Sequence, residues 1–352
     1  MAKKKKHNKK VFTKIIVFSL IIIILILASI AYSYYNKIYK ENVRIDLKDE
    51  FVYIPTGSTY DDVVRILTKE QILNDIASFE WLAEIKKYNQ NVKPGRYRIK
   101  KGMNNNELIN LLRSGKQEPV RLTIRGFRNY RVLAGYISHK LEADSVSICD
   151  VFEDEMLAQK YGFNEQNFLC IIIPNTYEFF WNTSATEFIE RMAKEYKTFW
   201  NNERKNKAQN IGLSQTEVAI LASIIQLETN KTDEMPDIAG VYINRLKKDM
   251  RLQADPTVIF AVGDFSIRRV KQEHLEYDSP YNTYKYSGLP PGPISIAYTH
   301  SIDAVLNYKM HNFLYFCARD DFSGYHVFAK TLEEHLNNAR KYQRELNKKK
   351  IF

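Results

Sequence analysis

The chain has 352 residues, room for two domains and a tail, and its 45% hydrophobic and 13% aromatic content excludes a largely disordered protein. Its formal charge of +11 is concentrated at one end: Lys3, Lys4, Lys5, Lys6, Lys9, Lys10 and Lys14 precede the first apolar run, leaving 45 basic against 41 acidic residues, a surplus of +4. That distribution gives no support to nucleic acid as a partner, and three scattered cysteines (Cys149, Cys170, Cys317) offer neither a disulfide framework nor metal-ligand spacing, so they read as buried apolar side chains. Residues 1–14 are a basic cytoplasmic tail. Residues 15–35, IIVFSLIIIILILASIAYSYY, carry no charge over the roughly 20 residues a bilayer span requires. Lysines before the span and Tyr32, Tyr34 and Tyr35 at its far end predict a single pass in the cytoplasmic (inner) membrane, with the body on the extracytoplasmic side. The rival is a cleaved signal peptide. The apolar run is longer than an ordinary signal core and Ser29-Ile30-Ala31 is a weak cleavage site, which favours a retained anchor.

Residues 36–45 read as a polar stem, and residues 46–117 as a small α+β unit. A strand over Glu50–Ile54 runs into a Pro55-Thr56-Gly57 turn, followed by an amphipathic helix with Val63, Val64, Ile66 and Leu67 on one face. A second helix covers Ser78–Tyr88, a strand lies within Lys93–Met103, and a third helix opens at Asn104 and ends at Ser114-Gly115. The unit resembles a LysM-like glycan-binding module; the alternative is a packing domain that only spaces the body from the membrane.

The larger body, residues 118–347, starts with a strand over Arg121–Ile124 and helices over Arg128–Leu141 and Asp150–Tyr161. The aromatic run Pro174–Trp181 either lines a groove or belongs to the core, and a charged helix spans Ala185–Lys207. Next comes SQTEVAILASIIQLETN, Ser214–Asn230. Ser214 and Glu217 have the spacing of a capping box, and Val218–Leu227 is almost wholly apolar, so this helix is buried on most sides. Glu228 stands at its inner end, where burial and the negative end of the helix dipole both raise a carboxyl pKa, as a general acid requires. The helix alone leaves a second reading open, in which Glu228 is solvated or paired with Lys231. A helix over Met235–Met250 follows, then RLQADPTVIFAVG (Arg251–Gly263). Asp278–Ile294 is dense in Pro, Gly, Asn and Tyr and reads as a long functional loop. Strands at Asn312–Ala318 and Tyr325–Ala329 and a helix over Leu332–Asn347 close the chain.

LASIIQLET (221–229), VYINRL (241–246), RLQADPTVIF (251–260), SPYNTY (279–284), GLPPGPI (288–294), FLYFCA (313–318) and SGYHVFAKTLEEH (323–335) occur in one order. Together they resemble the endolytic murein transglycosylase family, membrane-anchored enzymes that cut nascent peptidoglycan glycan strands. KPGRYRI and PNTYEF fit the same family more loosely, and the resemblance runs from the anchor nearly to the end. The fold it implies is α+β: one transmembrane helix, a LysM-like module, then a mixed α+β catalytic domain. The family's catalytic glutamate falls on Glu228, and an earlier family glutamate is Gln226 here, which argues that the earlier one is dispensable. The chain also lacks prolines that many members carry near Ala297 and Tyr308.

The activity implied is lytic cleavage of the MurNAc–GlcNAc bond with formation of a 1,6-anhydro end, with Glu228 acting first as acid and then as base. One carboxylate suffices because the nucleophile is the sugar's own C6 hydroxyl, whereas ordinary glycoside hydrolases need two. Gln253, Asn282 and Tyr284 are candidates to bind sugar hydroxyls and N-acetyl groups. Turn-forming roles compete for each, and Asn282 can equally cap its loop. Asp255 is either a loop brace or a substrate contact, and His326 either reaches the site or serves the strand. No cofactor and no metal are implied. The partners implied are peptidoglycan glycan strands, the lipid bilayer and cell-wall synthases. Two alternatives remain: a non-catalytic glycan-binding scaffold, and a hydrolytic muramidase with Asp255 or Asp278 as second carboxylate.

Overall fold

The computed structural model describes residues 2–44 and 50–349. They form an α+β protein in two compact units, residues 1–120 with 180–182, and residues 121–179 with 183–352. Each described sheet has two strands.

The first unit begins with α1, Ala2–Tyr39, whose stretch from Lys10 is long and apolar enough to cross a bilayer and is not buried by protein. An anchor and a signal sequence both fit that description. The expected stem is not an extended linker. Residues 36–39 continue α1, and Asn42 and Val43 are buried, because the unit's core has a slot for Val43 and polar partners for Asn42. Asn42 Nδ2 donates to Asn105 Oδ1 and to the Asp75 carbonyl, both at 2.7 Å, while Asn105 Nδ2 donates to the Lys37 carbonyl at 2.9 Å. Residues 45–49, the end of that stretch and the start of the module, lie outside the described residues.

β1 (Glu50–Ile54) pairs antiparallel with β2 (Gly95–Ile99), with Val52 opposite Tyr97. Between them lie α2 (Tyr60–Lys69), capped by Thr59 and Asp62, and α3 (Ile76–Ile85), which stops three residues short of Tyr88 in favour of a 3₁₀ turn. α4 (Asn105–Ser114) opens on an Asn104–Glu107 capping box and ends at Gly115, whose φ of 71° is the left-handed conformation that glycine takes without strain. Val52, Val63, Leu67, Phe79, Leu108 and Leu112 fill the core between sheet and helices.

From Arg121 the chain enters the second unit through β3 (Val120–Thr123), then α5 (Tyr130–Ser138), α6 (Ser145–Glu153) and α7 (Glu155–Lys160). The helix expected over Asp150–Tyr161 is two, divided at Asp154, whose extended backbone (ψ 102°) caps the second. β4 (Thr176–Phe179) pairs with β3. The aromatic run splits: Tyr177 and Phe179 enter the core, while Trp181 packs edge-on against Tyr53 within the first unit at 5.0 Å. The expected helix over Ala185–Lys207 is also two, α8 (Ala185–Phe199) and α9 (Asn202–Ile211), because Trp200 turns fully into the core and Asn201 caps the next helix.

α10 (Gln215–Glu228) is the centre of this unit, with Val218–Ile225 buried on every side. It packs against α9, α11 (Met235–Lys247), α12 (Asp255–Val262) and α14 (Thr299–Leu306), α13 being the short turn Gln272–Leu275. α14 has no counterpart in the elements expected from sequence. The 278–294 segment holds no regular element, as its composition predicts. β5 (Tyr315–Ala318) pairs with β6 (His326–Ala329) through a hairpin, and α15 (Leu332–Lys348) lies against both strands without burying any residue fully. Of the cysteines only Cys170 is buried; Cys149 and Cys317 are half-buried, so the expectation of three core thiols holds for one.

Candidate functional site

α10 forms because Ser214 and Glu217 satisfy each other's first-turn N–H groups, at 3.2 and 2.7 Å, and because its buried run has apolar partners all round. It stops at Thr229, whose extended backbone (φ −144°, ψ 145°) leaves Glu228 as the last helical residue. Glu228 lies on the floor of a cleft of about 490 Å³ and is half-buried, open on the cleft side. The pairing with Lys231 does not form: the Lys231 ammonium sits over the Tyr325 ring, 4.8 Å from its centroid. Tyr242 Oη donates to Glu228 Oε1 at 2.5 Å, and Oε2 has no hydrogen-bond partner among the described residues. Burial lifts the Glu228 pKa from the ordinary 4.5 to about 7; the Tyr242 hydrogen bond opposes that rise, the charge of Asp255 adds to it, and Arg245 opposes it. Tyr242 is itself pushed well above 10, chiefly by burial, and so remains a phenol donor.

Tyr242 and Arg245 lie three residues apart on one face of α11. The buried Arg245 guanidinium needs several acceptors, and it finds the carbonyls of Leu314 (2.6 Å), Arg251 (3.1 Å) and Leu252 (2.8 Å) and Gln253 Oε1 (3.2 Å). One side chain thereby ties α11 to the residue that leads into β5 and to the 251–253 loop. Gln253 adopts φ 51°, unusual for a residue with a Cβ, and its N–H donates to the Thr283 carbonyl at 3.2 Å.

Of the residues singled out from sequence, Glu228, Gln253, Asp255, Tyr284 and His326 line this cleft. Tyr284 Oη donates to Asp255 Oδ1 at 2.6 Å, and burial together with that bond holds the phenol above its ordinary pKa. Asn282 is not in the cleft. It is fully buried, donates to the carbonyls of Leu275 (2.9 Å) and Tyr277 (2.8 Å), and accepts from the Tyr284 N–H, so it braces the loop that presents Tyr284. Asp278 is also outside, exposed and paired with Lys285 at 3.0 Å and Tyr286 at 2.8 Å. Gln226 clamps the 295–298 segment, donating to Ser295 Oγ and the Ile296 carbonyl and accepting from the Tyr298 N–H. An amide serves that clamp because it both donates and accepts.

Sequence reasoning passed over Tyr242, Arg245, the β5 wall of Tyr315–Ala318, and Leu332, His335 and Leu336 of α15, all of which line the cleft. The signal for the first two was a Tyr and an Arg at i, i+3 spacing within the largely apolar run Val241–Leu246.

Residues 52–341 match the model of the YceG-like family. The chain belongs to that family. It is 31% identical over 336 residues to a Bacillus subtilis (strain 168) protein named endolytic murein transglycosylase, covering 90% of this chain and 91% of that one. A Streptococcus pneumoniae D39 protein of the same name is 27% identical over 370 residues, covering 94% of this chain and 65% of its own length. A crystal structure of a YceG-like protein from Listeria monocytogenes is similar at a TM-score of 0.56 and 29% identity, covering 82% of this chain and 98% of that one.

The Glu228 environment fixes a dependence of stability on pH. Below about pH 4.5 the folded and unfolded chains both carry the proton; between there and about pH 7 only the folded chain does, so stability falls as pH rises through that window. Glutamine does not titrate. Relative to wild type, Glu228→Gln should therefore gain about 2 kcal/mol from pH 4.5 to 8, allowing for the partial exposure of the carboxyl. Urea unfolding of both proteins at pH 5 and pH 8 checks it, and a constant difference would contradict the raised pKa.

Proposed function

We propose that the protein is an endolytic peptidoglycan lytic transglycosylase, with Glu228 as its single acid/base. The observation that carries the reading is the Glu228 carboxyl itself: at the end of a buried helix, on the cleft floor, with a pKa of about 7. At neutral pH such a group is present in both forms, which suits a residue that donates a proton and then recovers one.

In the reaction, the protonated Glu228 gives its proton to the glycosidic oxygen between MurNAc and GlcNAc. The C1–O bond breaks and the GlcNAc leaves with a C4 hydroxyl. The carboxylate then takes the proton of the MurNAc C6 hydroxyl as that oxygen bonds to C1, closing the 1,6-anhydro ring. No water is consumed, and Glu228 ends protonated. Because Tyr242 occupies Oε1, Oε2 is the oxygen that exchanges the proton. Of the residues singled out from sequence, Gln253, Asp255, Tyr284 and His326 line the cleft and are candidates to contact the sugar. The naming of the Bacillus subtilis and Streptococcus pneumoniae relatives supports the substrate class.

A hydrolytic muramidase is the second reading, since Asp255 lines the same cleft and its charge bears on Glu228. Product masses separate the two on digesting isolated peptidoglycan. Glu228→Gln should lose at least about 10²-fold in activity, while Asp255→Asn retains much of it and the products carry anhydro ends. Reducing ends, together with equal loss in both variants, would establish the muramidase instead.

In this reading α1 is a retained anchor, with the body on the extracytoplasmic side. Protease added to intact spheroplasts should remove everything beyond about Tyr35; a protected C-terminus contradicts the topology and with it the substrate. The first unit, in turn, is a LysM-like module that holds glycan near the membrane without performing chemistry. Removing it should weaken retention of the protein on isolated peptidoglycan while some cleavage survives, and unchanged retention would make it a spacer.

A further inference from the structure

A second carboxylate is buried beside the cleft and has no part in the chemistry above. Glu234 is 4% exposed and stands at the head of α11, six residues beyond Glu228. Both of its oxygens are directed at one residue of β6: Oε1 accepts from the His326 backbone N–H at 2.7 Å, and Oε2 meets His326 Nδ1 at 2.7 Å. The neighbouring contact repeats the attachment, Tyr325 Oη donating to Asp233 at 3.0 Å. The His326 ring is further confined by Phe316, edge-on with centroids 5.2 Å apart.

This arrangement determines what the histidine offers. A carboxylate can only accept, so His326 donates from Nδ1, and in the neutral ring Nε2 then carries the lone pair. Nε2 has no hydrogen-bond partner among the described residues and is not among the buried polar atoms lacking one, while the side chain lines the Glu228 cleft. A ring locked by a buried acid, with its remaining nitrogen open to the cleft, has the form of a preset acceptor.

We propose that His326 Nε2 accepts a hydrogen bond from a hydroxyl group of the hexosamine chain in the cleft, and that Glu234 is the positioning residue that fixes its tautomer and direction. The inference rests on the cleft being a glycan site. It assigns to two residues on a different wall from Glu228 a role in binding, with no part in proton transfer.

Two substitutions separate this role from a purely structural one. Asparagine places an amide nitrogen where Nδ1 stood and keeps the Glu234 contact but has no atom at Nε2; glutamine reaches the Nε2 position and gives up Glu234. In the full-length chain in detergent, with Glu228→Gln to prevent turnover, binding of uncrosslinked peptidoglycan glycan strands is titrated. His326→Asn should melt close to the background protein yet bind about fivefold more weakly. His326→Gln should melt lower and bind better than the asparagine variant. Glu234→Gln, whose amide donates to Nδ1 and so moves the ring proton to Nε2, should weaken binding like His326→Asn. If His326→Asn binds as tightly as the background protein, the inference is wrong while the glycan reading stands. If the background protein binds no glycan, both fall. Should the glutamine variant fail to fold, the asparagine comparison alone decides.

Discussion

A half-buried carboxyl, open only on its cleft side, at the inner end of an apolar helix is the constraint on which the second unit depends. Burial disfavours the Glu228 anion, and what surrounds it moderates that cost: the Tyr242 hydroxyl at 2.5 Å and, further off, the Arg245 cation. Both come from α11, so α10 and α11 are bound to a fixed rotation about their axes. Arg245 is itself too costly to bury without acceptors, and those it uses are the Leu314 carbonyl just before β5, the carbonyls of Arg251 and Leu252, and the Gln253 side-chain oxygen. The position of one acid thus reaches outward, through a tyrosine and an arginine, to both walls of the cleft.

The two walls are held differently. The wall from the 278–294 segment has no ladder of its own, and buried side chains tie it to the neighbouring backbone. Asn282 binds the carbonyls of Leu275 and Tyr277, while Thr257 and Thr283 share a hydrogen bond at 2.8 Å and the Ala254 N–H donates to Thr283. Tyr284 and Asp255 meet across that brace. The opposite wall is a two-stranded hairpin with α15 laid against it, where Leu332 and Leu336 remain 54% and 47% exposed. Since α15 buries no residue fully, packing secures it only weakly.

The first unit shows the same economy on a smaller scale. A polar cluster of Asn42, Asn105 and Ser78, all buried and mutually bonded, joins the end of α1 to α3 and α4. Asparagine suits the junction because its side chain donates and accepts at once, closing backbone groups that would otherwise be buried unpaired.

Much of this was determined by the sequence alone. The apolar span, the helix start at Asn104, the capping box at Ser214, the buried run Val218–Ile225 and the turn-rich 278–294 segment each follow from local chemistry: charge absence, side-chain-to-backbone bonding and periodicity act within a few residues of one another. Glu228 was legible for the same reason, since the helix that carries it also buries it. Tertiary structure decided what those rules cannot reach. Trp200 and Asp154 ended helices that propensity would have continued, because a core slot or a cap outweighed local preference. Asn282 turned inward to brace its loop, leaving Tyr284 to face the cleft, and Gln226 became a clamp through contacts about 70 residues away. Tyr242, Arg245 and Glu234 acquired their places only when α11 packed against α10, β5 and β6. Tyr242 meets Glu228 14 residues away, Arg245 the Leu314 carbonyl 69 residues away and Glu234 His326 92 residues away, and no local pattern specifies which of two polar residues on a helix face will meet a group on another element.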